Sequence, residues 1–166
     1  MTGAPARIRE AVRALVLDPA GSALLVCWEF PDRTVWGLPG GGIDEGEGII
    51  VALRRELDEE LGIGSTADIG PRIWERTHLF AFGSPRWDGQ HELVYLVPSR
   101  RFAPAPRLSP EQLAAESLVG ARWLTPDEMR ELRRAGALLA PRRLPELVDA
   151  IVAHGPPPAP VDIGGA

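Results

Sequence analysis

The chain has no lysine: all 18 of its basic residues are arginine. Base composition of the coding DNA accounts for the bias, but any grip on a phosphate must then use the planar guanidinium fork. A basic run is also missing, and the formal net charge is −5. Affinity for a nucleic-acid backbone comes from neutralising many phosphates, so a nucleic-acid polymer is not expected as a partner, whereas a small phosphate ester stays open. Cysteine occurs once, as Cys27, which excludes an intramolecular disulfide. Its place in an apolar run suits a small buried side chain better than a nucleophile. No apolar run approaches membrane-spanning length, and Arg7, Arg9, Glu10 and Arg13 interrupt the N-terminal segment where a secretion signal needs an apolar core. The expected setting is cytoplasmic, with no membrane partner.

What is present suits one globular domain: 166 residues, 45% of them hydrophobic, can enclose a real core. Residues 1–154 are expected to form it. The Pro- and Gly-rich tail 155–166 reads as disordered or as a partner-dependent arm. Residues 11–17 and 23–28 are β-prone runs around Asp18-Pro19-Ala20-Gly21 and read as a hairpin. The polar stretch 29–36 reads as a loop leading into residues 37–42, where four glycines in six positions allow close approach to the main chain. Strands are expected over 73–82, 92–97 and 119–124, with 100–110 irregular. Thr125-Pro126-Asp127-Glu128 has the cap, proline and acids of a helix start, and residues 145–153 read as a last helix. That order implies an α+β or mixed α/β sandwich rather than a doubly wound sheet.

The densest chemistry lies between Gly40 and Ile63, where four of the five residues from Glu56 to Glu60 are acidic. At about 100° per residue, Ile50, Leu53, Leu57 and Leu61 share one sector, which predicts an amphipathic helix on a core. Glu56, Glu59 and Glu60 share a neighbouring sector. Like charges at that spacing repel by roughly 0.2–0.5 kcal/mol per exposed pair, a cost that a bound cation would turn into a site. The competing reading of the cluster alone is an acidic, solvated helix face. Hard divalent ions such as magnesium take oxygen ligands, so carboxylates beside a phosphate-bearing substrate suit them.

The spacing of Gly41, Glu47, Arg55-Glu56-Leu57, Glu59-Glu60 and Gly62-Ile63 resembles the signature of the Nudix hydrolases at every specified position. Segments 36–41 and 122–129 also resemble recurring family segments, so the likeness extends over roughly residues 9 to 135. The resemblance implies an α/β/α sandwich around a mixed β-sheet, and hydrolysis of a nucleoside diphosphate linked to another group. It implies Mg²⁺, with Mn²⁺ as a substitute, held by Glu56, Glu59, Glu60 and the Gly40 carbonyl. It also gives Arg55 the task of orienting the catalytic glutamate and Glu47 that of bracing the loop against the helix. The alternative for Arg55 and Glu47 is a surface ion pair worth about 0–1 kcal/mol.

Family members recruit different acids as general base. Glu56 is one candidate; in the region after the signature Glu116 matches best, with Glu92 and Glu111 behind it. Trp36, Trp74 and Trp87 could stack on a base but suit core or rim better. Arg33, Arg76 and Arg86 are candidate phosphate clamps, and His78 and His91 lack the spacing of a metal motif. Gly48 departs from the family's polar residue and weakens the helix start. Ile49 and Val51 lie off the core stripe, which suggests contact with another element or with a second subunit in a homodimer. A catalytically silent nucleotide-binding Nudix domain is the alternative function, disfavoured by the complete acidic set. The family's isomerase branch is disfavoured by the lack of an acid and thiol pair. A (d)NTP, a sugar nucleotide or a dinucleoside polyphosphate all remain open as substrate, because the markers that sort family members are missing after Gly62.

Overall fold

A computed structural model describes residues 3–80 and 84–165 of the chain. The β-prone N-terminal runs become β1 (Ile8–Leu17) and β2 (Ala23–Phe30). Asp18 shapes the turn between them, its Oδ1 accepting from the backbone N–H groups of Ala20 and Ser22. The expected hairpin holds only at that turn, where Leu17 pairs with Ala23. Beyond it β1 runs parallel to β6 (Gly89–Pro98), and β2 pairs with β3 (Arg33–Gly37) and β7 (Leu118–Leu124). Apolar residues on both faces make β1 a central strand that needs a full ladder on each side.

The loop expected over 29–36 is instead the β2–β3 hairpin, in which Phe30 pairs with Arg33 across Pro31 and Asp32. The glycine-rich stretch contains β4 (Gly40–Gly42), laid antiparallel on β1. After helix α1 (Ile49–Leu61) come β5 (Arg72–Leu79), β6, α2 (Pro110–Ala115), β7, α3 (Pro126–Arg134), β8 (Leu138–Ala140) and α4 (Leu144–His154). The strand expected over 73–82 is described only as far as Phe80. Both α2 and α3 start as capping chemistry dictates: Ser109 with Gln112, and Thr125 with Glu128, form reciprocal capping boxes. Helix α1 lacks such a cap, because Gly48 has no side chain to offer, and it ends at Gly62 in the left-handed conformation.

Among the described residues nine strands, the last being β9 (Val161–Asp162), form one mixed sheet, ordered β8-β3-β2-β1-β6-β5-β9, with β4 on β1 and β7 on β2. Leu53, Leu57 and Leu61 of α1 pack with Val12, Val16, Leu24 and Val26 in one apolar layer. Met129, Leu144, Val148 and Ile151 of α3 and α4 pack with Leu15, Leu25, Ile73 and Val94 in another. This is the expected α/β/α sandwich around a mixed sheet. Ile50 departs from its predicted sector and is 39% exposed.

The tail also departs from expectation. Residues 161–162 form β9 (Val161–Asp162), parallel to β5, and the Ile163 N–H donates to the Glu75 carbonyl. An open sheet edge and an apolar side chain that reaches the core supply the partners that composition could not reveal.

Candidate active site

Helix α1 and strand β4 form the candidate site. Pairing of Leu53, Leu57 and Leu61 with the sheet rotates Glu56 and Glu60 under β4, where they are 8% and 3% exposed. The closeness depends on Gly41: a Cβ there would stand 2.6 Å from Glu56 Oε1. Glu60 Oε2 accepts from the Gly40 N–H at 2.9 Å. Burial pushes the Glu60 carboxyl up to about 8, against the pull of Arg13 and of that N–H. Burial likewise raises Glu56, and the Arg55 hydrogen bond opposes it.

Arg55 is the hub of the exposed side. It binds Glu47 through two N–H groups at 2.9 Å, donates to Glu56 Oε1 at 2.8 Å and reaches the Gly42 carbonyl at 3.0 Å. The guanidinium holds Glu47 down at about 2. Glu59, partly exposed, lies 3.5 Å from Arg55.

Strand β1 adds residues that the sequence reading overlooked. Arg9 and Arg13 alternate onto one face, and Arg13 sits opposite Gly40 in the ladder. Arg13 donates to the Gly40 carbonyl at 2.5 Å and to Glu92 Oε1 at 2.9 Å. The Arg9 side chain makes no hydrogen bond or ion pair among the described residues, and burial together with the nearby Arg13 lowers its pKa. The period-2 spacing of these arginines in a strand was a usable signal.

Two adjoining cavities share Arg9, Arg13, Trp28 and Glu116. The smaller, about 310 Å³, is also lined by Gly40, Gly41, Glu56 and Glu60. The larger, about 390 Å³, extends over Phe30, Phe80, His78, Gln90 and Glu92. Glu116, at the end of α2, is exposed and faces both cavities. Glu111 is exposed on the first turn of α2 and lines neither. Glu92 is no free acid: burial alone would raise it, but Arg13, His78 and Arg76 hold it well below the usual carboxylate range.

The other candidates separate clearly. Trp36 and Trp74 belong to the core, and Trp87 stacks with Arg86 beside a different cavity. Trp28, not singled out from sequence, is the tryptophan of the site, with Arg13 5.5 Å from its ring centroid. Arg33 and Arg76 line the larger cavity, Arg76 being buried against Glu92 at 2.5 Å. His91 pairs with Glu10, and His78 lies in the cavity wall.

The oxygen chemistry of Glu56, Glu59, Glu60 and the Gly40 carbonyl fits a hard divalent ion, and the buried pair lacks full counter-charge. Among the described residues, however, no three His, Cys, Asp or Glu side chains gather closely enough to hold one. Glu60 turns to the Gly40 N–H and Glu56 to Arg55, so ion binding requires carboxylate rotation and release of the Gly40 carbonyl from Arg13.

The architecture is thus a mixed-sheet sandwich with an acidic helix laid against a glycine strand. The NUDIX domain family model matches residues 7–145, and the chain belongs to the Nudix family. Nucleoside triphosphatase NudI from Escherichia coli strain SE11 is 39% identical over 83 residues, covering 45% of this chain and 55% of the relative. NudI from Shigella sonnei matches to the same extent. The chain thus spans about half the length of these curated relatives. Among solved structures, the NUDIX hydrolase from Nitrosomonas europaea superposes with a TM-score of 0.60 at 20% identity, covering 90% of this chain and 93% of that one. The NUDIX domain of Shewanella oneidensis NrtR, complexed with ADP ribose, gives 0.59 at 19%, covering 88% and 86%. At these identities the likeness concerns the fold.

No helix among the described residues is long and apolar enough to cross a membrane.

Proposed function

We propose that this chain hydrolyses a phosphoanhydride bond in a nucleoside diphosphate derivative, in the cytoplasm, with Mg²⁺ as the natural ion and Mn²⁺ as a substitute. The observation that carries the reading is the pair of buried carboxylates, Glu56 and Glu60, beside a cavity that also presents Arg9 and Arg13. Glu56, Glu59, Glu60 and the Gly40 carbonyl would hold the ion. When bound, it would supply Lewis acidity and a lowered pKa for water. Arg55 orients Glu56, and Glu47 fixes Arg55. Arg9, whose guanidinium has no protein acceptor among the described residues, takes a phosphate oxygen, and Arg13 turns from the Gly40 carbonyl to do the same. Glu116 is the base we favour, being exposed to water at the mouth of both cavities, so that it can take the proton of the attacking water. The curated relatives are nucleoside triphosphatases, which makes a nucleoside triphosphate the first substrate to try.

Phosphate or pyrophosphate release with Mg²⁺ from nucleoside triphosphates, sugar nucleotides and dinucleoside polyphosphates tests the proposal. Metal-dependent turnover of at least one is expected, and none across the panel would sink it. A silent nucleotide-binding domain is favoured by one observation: Arg13 occupies the Gly40 carbonyl and Glu60 the Gly40 N–H. Tight nucleotide binding without turnover would select that reading.

A further inference from the structure

The cavity of about 390 Å³ has one wall residue, Ile163, from outside the span that matches the family. Parallel pairing sets Val161 beside Trp74 and Asp162 beside Glu75. One step further, Ile163 falls beside Arg76, whose side chain faces the cavity, and Ile163 lines that wall. Gly165 then passes so close to β5 that a Cβ would lie 2.6 Å from the Thr77 carbonyl. It lines a third cavity of about 830 Å³, which shares Phe30, Arg33, Val35, Arg76, His78 and Phe80 with the first. The segment 161–165 therefore borders both spaces along β5, with Ile163 on the one and Gly165 on the other. Pro156, Pro157, Pro158 and Pro160 precede it. Such a spacer is stiff, so fixing the segment costs little chain entropy.

The cavity it borders suits a single planar heterocycle. Trp28, Phe30 and Phe80 supply aromatic surface, and Arg33 lies 5.0 Å from the Phe30 ring centroid. At the polar end, His78 Nε2 is buried with no hydrogen-bond partner among the described residues, 3.8 Å from Glu92 Oε1. At about 390 Å³ the space lies near the lower end of the roughly 300–1,000 Å³ usual for ligand sites.

We infer that residues 161–165 are a specificity-determining wall that confines the non-phosphate end of the substrate to one nucleobase and excludes substrates carrying a second nucleoside, an inference that rests on the hydrolase reading above. A strand serving only to cover the β5 edge would use Ile163 as a core anchor, so its loss would change stability and leave the ratio between substrates alone. An Ile163 turned into the cavity makes the ratio between substrates sensitive to that side chain.

The test compares the parent, a chain ending at Gly155 and Ile163→Ala. For each, kcat/KM and equilibrium affinity are measured for a nucleoside triphosphate and a dinucleoside polyphosphate, the affinities with nonhydrolysable analogues. The ratio of dinucleoside to mononucleotide should rise about tenfold or more on truncation and a few-fold in Ile163→Ala. An unchanged ratio in two folded variants overturns the wall, and so does a parent that accepts both ligands equally. If truncation prevents folding, Ile163→Ala alone decides. If the parent binds but cleaves neither ligand, its affinity ratios still decide the wall, and the sugar nucleotides of the panel decide the hydrolase reading. A parent that binds neither overturns the wall.

Discussion

In the first turn of α1, Ile49, Ile50 and Val51 are 38%, 39% and 62% exposed, whereas Glu56 and Glu60, further along the same helix, are 8% and 3% exposed. Side-chain chemistry alone would give the opposite. Burial of Leu53, Leu57 and Leu61 sets the rotation of the helix, and Glu56 and Glu60 are carried under β4 with them. The first turn precedes the stretch covered by β4, so its apolar side chains meet solvent at small cost. Desolvating two carboxylates is expensive. A helix keeps such a pair where the charge is used, and the apolar end carries no comparable information.

Several substitutions would break or sharpen that contrast. The largest effect is expected for Glu60→Gln. It should lower kcat/KM by at least about a hundredfold on any substrate that the parent turns over. Metal-free thermal stability should match the parent's below about pH 4.5 and exceed it increasingly as pH rises to about 8, because over that window the parent's carboxyl must take up a proton to be buried. Equal rates would remove Glu60 from the site. Arg55→Ala should follow, with a loss of about tenfold or more in activity. Its urea midpoint should fall by an equivalent of about 1–3 kcal/mol, because Glu56 stays buried without its donor.

Acid should act next, through Glu47. Its carboxyl titrates near 2 in the folded chain against an ordinary 4.5, so the brace contributes fully above about pH 4.5 and fades as pH falls toward 2. The stability difference between the parent and Glu47→Gln, followed by thermal melts, should shrink over that window. A difference that grows with acid would contradict the sign. The smallest effect belongs to the apolar end: Ile49→Ser with Val51→Ser should change stability by no more than about 0.5 kcal/mol. If that turn docks a second copy, the double variant should sediment as a smaller species than the parent. Identical sedimentation would retire the dimer contact.

Period and capping made the helices legible. The Leu53-Leu57-Leu61 stripe, the Thr125 cap and the Gly62 stop were all visible in one dimension, because each depends on residues within a turn or two. The short strands β3, β4 and β8 were not, since their pairing comes from a neighbouring strand rather than from their own composition. Arg13 and Trp28 escaped notice for a related reason: they reach the site across the sheet from strands distant in sequence from α1. Glu92 looked like a free acid until Arg13 and Arg76 were seen to hold it.

By itself the sequence determined the family, the acidic helix and its likeness to a metal site, because a short signature with strict spacing encodes a local structure. Tertiary structure alone decided that Glu56 and Glu60 are buried while Glu59 is not, that the Arg9 side chain has no hydrogen-bond partner among the described residues, and that the tail lies along β5. Those outcomes depend on which surfaces meet when the strands register, and a burial cost or a vacant sheet edge exists only once they have met.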